Sequence, residues 1–141
     1  MRPESLAALA RIQRWELNQL RQQVAELERL RDDILYRDGE LQESLKRERA
    51  IAIEMGSHEG FARYAHVVRE QRERLAHSLA DIEGQLAEKA DQIAAVFQDV
   101  KRYETALERM KARERVEAER REQLVLDDIG LEAYRRSGAA G

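Results

Sequence analysis

The sequence predicts an all-α fold: a two-helix antiparallel coiled-coil hairpin with a longer, projecting C-terminal helix. Three observations predict it. Charged residues make up 38% of the 141-residue chain and aromatic residues 5%, against about a quarter charged in an ordinary globular domain. Ala, Leu, Glu, Arg and Gln dominate and the one Pro stands at position 3, so the shortage of apolar bulk goes with strong helix formers. The apolar residues that remain recur at alternating steps of three and four, interrupted once by a pair of glycines.

Helix one is expected over residues 5–55. A seam through Leu6, Ala10, Leu17, Leu20, Val24, Leu27, Ile34, Leu41, Leu45, Ala52 and Met55 keeps the coiled-coil spacing, with Gln13, Arg31, Asp38 and Glu48 as its polar members. The turn is placed at 56–60, Gly56-Ser57-His58-Glu59-Gly60. There Gly56 can take the left-handed conformation that ends a helix, and Ser57 can cap the next one. Helix two is expected over 58–136. Its seam runs through Phe61, Tyr64, Val68, Leu75, Leu79, Ile82, Leu86, Ile93, Val96, Val100, Tyr103, Leu107 and Met110, with Arg72 and Lys89 as polar members. Gly39, Gly84 and Gly130 stand alone in helical pattern, each costing about 1 kcal/mol against Ala.

A chain that doubles back here sets facing residues at position numbers summing to about 116, so Ile34 meets Ile82, Leu41 meets Leu75, Leu20 meets Val96 and Met55 meets Phe61. Apolar meets apolar in these pairs, which predicts a monomeric hairpin with arms about 75 Å long at 1.5 Å per residue. One thin core layer is all such a fold buries, which reconciles it with a mean hydropathy of −0.73. Pairs four residues apart, Glu43 with Arg47, Glu70 with Arg74 and Glu117 with Arg121, add a few tenths of a kcal/mol each on the solvated faces.

Helix one has no partner for helix two beyond about residue 110. The excess begins with the heavily charged run Lys111 to Gln123 and ends in an apolar stretch, Leu124-Val125-Leu126-Asp127-Asp128-Ile129-Gly130-Leu131. A helix solvated first and apolar later reads as an arm offered to another molecule; the plainer alternatives are a frayed tail or a dimer contact. Residues 137–141 are expected to be a disordered tail. The whole, 1–141, is one coiled-coil domain.

Little in the sequence supports chemistry. There is no Cys, and no glycine-rich phosphate loop occurs. His66 and His77 are about 16 Å apart by helical rise, too far for one metal, and Glu73 with His77 reads as a surface pair. No metal site, cofactor or catalytic residue is expected, and a thin hairpin offers no enclosed pocket to tune a carboxylate. The expectation is not an enzyme. The 25 basic and 28 acidic residues are mixed along the chain and the pI is near 5.7, which argues against nucleic acid. No stretch approaches the roughly 20 apolar residues of a membrane span, so direct membrane insertion is not expected.

The few aromatic residues are the remaining candidates for binding. Trp15 and Phe97 lie beside the seams toward the termini, whereas Tyr36, Phe61 and Tyr64 gather toward the turn. Trp15 is open between two readings, a flank residue covering the seam or an anchor in a partner's pocket.

Three stretches carry a family resemblance. They are the opening from Leu6 to Trp15 with the Arg- and Gln-rich run through Val24, the Ser57 turn followed by Phe61-Ala62-Arg63-Tyr64-Ala65, and Glu119-Arg120-Arg121-Glu122-Gln123-Leu124-Val125-Leu126-Asp127-Asp128-Ile129-Gly130-Leu131. In these the chain resembles the FliJ family of flagellar type III export proteins over nearly its whole length. The resemblance implies a non-enzymatic coiled-coil stalk between a hexameric export ATPase (FliI-like) and an export gate protein (FlhA-like), with export chaperones as further partners. It implies a cytoplasmic place, peripheral at the inner membrane through the export apparatus. On that reading Trp15, Leu124, Ile129 and Leu131 face the ATPase, and Tyr36, Phe61 and Tyr64 face the gate. The rivals are the equivalent stalk of a virulence-type secretion system, a coiled-coil tether or dimerisation module, and an RNA-gripping helical arm.

Overall fold

The computed structural model describes residues 2–140, and side chains through residue 138. Two helices, α1 (Pro3–Met55) and α2 (His58–Ala140), form an antiparallel hairpin. Pro3 opens α1, where its fixed φ suits the first helical position and its missing N–H leaves nothing unsatisfied. The first bond of the helix runs from the Leu6 N–H to the Arg2 carbonyl at 3.1 Å. Clustering of the backbone separates two compact units, Met1–Trp15 with Phe97–Gly141, and Glu16–Val96.

The reversal is tighter than the sequence suggests. Gly56 has φ of 69°, and the Ser57 N–H reaches back to the Ala52 carbonyl at 3.1 Å. That six-to-one bond satisfies an orphan carbonyl at the end of α1 and requires the left-handed residue that precedes it. The Ser57 carbonyl then accepts the Phe61 N–H at 3.4 Å, opening α2. Only Gly56 and Ser57 lie outside the helices, and Gly60, expected in the turn, belongs to the first turn of α2. The chain therefore reverses between residues 56 and 57, slightly before the expected centre at 58. Met55, expected to pack on Phe61, is 78% exposed.

Every buried residue of the described chain is a seam residue. In the terminal unit these are Leu6, Ala10 and Val100; in the other unit they are Leu17, Leu20, Ala52, Val68, Ile82 and Val96. The rest of the α2 seam from Phe61 to Met110 is half-buried, Arg72 and Lys89 included, and in α1 only Glu48 and Met55 escape. No buried polar residue occurs among the described residues, as a core of one side-chain layer requires.

The seam changes character between Phe61 and Leu75. There α2 steps through 61, 64, 68, 72 and 75, taking two successive steps of four, while in α1 Asp38, Leu41, Ser44, Leu45 and Ala52 are turned inward and Glu48 is exposed. An eleven-residue span in one helix unwinds the supercoil locally relative to a seven-residue partner. Polar contacts take over at this place: Arg72 Nε donates to Asp38 Oδ1 at 2.8 Å, and the Ser44 and Tyr64 hydroxyls are hydrogen-bonded to each other. Mirroring about residue 58 sets Asp38 opposite residue 78, and its pairing with Arg72 departs from that register.

At the other end α2 continues through Arg136 to Ala140, where the sequence reading had a disordered tail from residue 137. Ser137, Gly138 and two alanines contain no proline to stop the helix. Residue 141 lies outside the described residues.

Candidate functional site

The arm is the first candidate. From Arg113 to Gly138 every residue of α2 is exposed. The helix is supported there only by its own turns: Gln123 Nε2 donates to Asp127 Oδ1 at 3.1 Å, Arg136 meets Glu132 at 3.4 Å, and Arg121 Nε donates to the Glu117 carbonyl at 3.5 Å. That last contact replaces the expected Glu117–Arg121 carboxylate pair. Val116, Leu124, Val125, Leu126, Ile129, Leu131 and Tyr134 are all more than half exposed. At about 100° per residue, Leu124, Leu131 and Tyr134 fall on one side of the helix, and Val125, Leu126 and Ile129 fall on the other. A helix that is apolar on two sides is built to be enclosed, because one flat surface covers only one of them.

Trp15 does not cover the seam. It is 65% exposed, one residue after Arg14, which forms a 2.7 Å ion pair with Glu104 across the terminal unit. Leu124 lies twenty residues further along α2 than Glu104, about 30 Å by helical rise. The structure thus places Leu124 and Leu131 on one side of the arm and Ile129 on the other, and leaves Trp15 apart, at the level where the two helices are still paired. Phe97, in the same unit, carries the Lys101 ammonium 5.3 Å from its ring centre.

The second candidate is an open groove of about 1150 Å³ in the Glu16–Val96 unit, formed by α1 around residues 35–47 and α2 at Gln71, Arg74 and Leu75. It lies beside the altered seam. Tyr36 is on its wall and 68% exposed. Glu40 beside it, through a hydrogen bond and its charge, pushes the phenol above its ordinary pKa. Asp38 is held below the usual carboxylate range, chiefly by its hydrogen bond from Arg72. Tyr64 and Phe61 are half-buried; Tyr64 reaches the groove only through Ser44. Of the three aromatic residues expected at this end, the groove takes Tyr36 directly and leaves Phe61 in the seam.

Sequence reasoning missed the groove itself, and the two successive four-residue steps after Tyr64 were the signal for it. It also misassigned two ion pairs. Glu43 pairs with Lys46 at 3.6 Å, Glu70 lies 3.1 Å from His66 Nε2, and neither Arg47 nor Arg74 forms an ion pair among the described residues.

No group of three or more His, Asp or Glu side chains that could hold a metal is gathered among the described residues, and none of the described helices is long and apolar enough to cross a membrane. Fold and surface together define a coiled-coil binding protein, a paired stem that carries an unpaired helical arm. A family model described as the flagellar FliJ protein matches residues 4–139, and the chain belongs to that family. Its members are non-enzymatic, cytoplasmic or peripheral components with a general stalk or chaperone role in flagellar export, in interaction with the export ATPase and gate. No curated protein and no solved structure matches the chain.

Proposed function

We propose that this chain is the stalk of a flagellar export apparatus, that its arm engages and promotes assembly of the hexameric export ATPase, and that its turn half faces the export gate. The observation that carries this reading is the arm: a helix wholly exposed from Arg113 to Gly138, apolar on two sides over residues 124–134. A ring lumen or a cleft between subunits can cover both sides, and burying a Leu or Ile completely is worth about 1.5–3 kcal/mol. A partner that binds the assembled ring better than free subunits shifts the equilibrium toward the ring. Leu124, Ile129 and Leu131 supply this contact, and Trp15 makes a separate one about 30 Å nearer the turn along the stem.

The test is the hydrolysis rate and oligomeric state of the cognate ATPase with the full chain and with a chain ending at Met110. Stimulation and ring assembly by the full chain, lost on truncation, support the reading. Equal stimulation by the two removes the arm from it, and no effect of either leaves a coiled-coil tether as the better account.

A further inference from the structure

The terminal unit, Met1–Trp15 with Phe97–Gly141, exposes two apolar patches of opposite charge. The first is the outer face of α1. Ala8, Ile12 and Trp15 recur there at steps of four and three, opposite the seam of Leu6 and Ala10, and Ile12 is 58% and Trp15 65% exposed. Over residues 5–15 every charged residue is basic: Arg11 and Arg14. The second patch is the side of the arm that carries Leu124, Leu131 and Tyr134. Over residues 124–134 every charged residue is acidic: Asp127, Asp128 and Glu132. Glu104 holds Arg14, Gln123 holds Asp127 and Arg136 holds Glu132, whereas Arg11 and Asp128 enter no ion pair or side-chain hydrogen bond among the described residues.

We propose that the arm of one copy lies on the outer face of α1 of a second copy, and reciprocally, so that two chains close into an antiparallel dimer through their terminal units. The pairing does not rest on the ATPase or gate contacts proposed above. One chain cannot join its own two patches, because α2 runs as a single helix to Ala140 and carries Leu124 about 30 Å beyond Glu104, the level of Arg14. A second copy can. Aligning the centres of the two patches, with Arg14 level with Glu104, sets facing positions of the two α2 helices at numbers summing to about 235. In that register Glu114 faces Arg121 and Arg113 faces Glu122 across the twofold axis, and Asp128 comes level with Arg11 of the second copy. The two charges that lack partners within the chain thus meet between chains. One residue further along, Glu114 would face Glu122 and Arg115 would face Arg121, so like charges oppose the slip. Covering Ile12, Trp15, Leu124, Leu131 and Tyr134 removes roughly 600 Å² per copy from water, somewhat less than the ~800 Å² of a standard interface. The dimer is therefore weak, with a dissociation constant of about 10–100 μM, and separates on dilution.

The test is sedimentation equilibrium of the full chain from about 5 to 500 μM, with the emission of Trp15, the one tryptophan, followed over the same range. Wild type, Arg11→Glu, Asp128→Arg and an equimolar mixture of the two variants are compared. Both positions are exposed, and circular dichroism checks that each variant keeps its helices. Wild type is expected to pass from monomer to dimer with a blue shift of the Trp15 emission. Each variant alone is expected to dimerise about tenfold more weakly, and the mixture to recover wild-type affinity, because both contacts of a mixed pair unite opposite charges. A wild type that stays monomeric throughout overturns the proposal and leaves the arm to other partners. Dimerisation without a Trp15 shift overturns the seat on α1. Variants that dimerise as wild type does, or a mixture no tighter than the variants alone, overturn the pairing of Arg11 with Asp128, and species larger than a dimer overturn the twofold closure.

Discussion

Two parts of one helix make opposite use of the same chemistry. Between Phe61 and Met110, α2 hides a residue at every third or fourth position, and from Arg113 to Gly138 it hides none. Both stretches are rich in Glu and Arg and both carry Leu, Val and Ile, so the presence of apolar residues does not separate them. Pairing does. In the first stretch the apolar residues keep to one seam, and α1 covers it. In the second the apolar residues occupy two sides, so one coiled-coil partner could not cover them even if α1 were longer. The paired stretch is organised for the chain itself, whereas the apolar residues of the arm are left exposed.

The sharpest way to break this contrast is to remove a leucine from each part. Leu17, in the paired stem, is 6% exposed, and Leu17→Ala is expected to cost about 2–5 kcal/mol in urea denaturation followed by circular dichroism. Leu124→Ala is expected to move stability by less than about 0.5 kcal/mol, as an exposed helical site does, while lowering stimulation of the export ATPase. If Leu124→Ala destabilises the chain as Leu17→Ala does, the arm is packed in solution and the contrast fails.

A smaller effect is expected at the reversal. Gly56→Ala places a side chain at φ of 69° and is expected to cost about 1 kcal/mol. Gly39→Ala, in a helix and against open space, is expected to gain about 1 kcal/mol instead. The same denaturation experiment reads both. Equal signs for the two would show that the left-handed turn does not hold the reversal.

Most of this fold is legible in the sequence because a coiled coil writes its packing as a period. Leu6, Ala10, Leu17 and Leu20 could be placed in the core from spacing alone, and so could Val96 and Val100. Gly56 with Ser57 could be placed at the turn, since few residue pairs end one helix and begin another so well. What could not be read were distances between side chains off the seam. Helical spacing offers Glu43 both Lys46 and Arg47, and it offers Glu70 both His66 and Arg74. Rotamers decide which partner is taken, and the choice leaves Arg47 and Arg74 facing the groove. The separation of Trp15 from Leu124 was implicit in the register, which sets Trp15 near residue 101, and the Arg14–Glu104 pair agrees with it.

The smallest effect separates two ways of closing the seam itself. Near the termini the layer is aliphatic, but at Asp38 it is closed by an ion pair, with Arg72 Nε at 2.8 Å and Gln42 Nε2 at 2.9 Å from the carboxylate. Asp38 is more acidic in the folded chain than its ordinary value of 3.8. The folded state therefore favours the ionised form, and the stabilisation is fully present above pH 3.8 and lost as pH falls below it through the folded value. Partial exposure of both side chains limits the pair to about 1 kcal/mol or less. Asp38→Asn is expected to lower the urea midpoint at pH 7 by that small amount, with the deficit against wild type shrinking at pH 3. The Leu17→Ala deficit has no titrating group behind it and should persist in acid. An Asp38→Asn deficit unchanged at pH 3 would mean that the side chain acts at this point of the seam by shape and not by charge. The altered spacing of α2 would then need another explanation for tolerating a carboxylate beside the apolar Ile34 and Leu41.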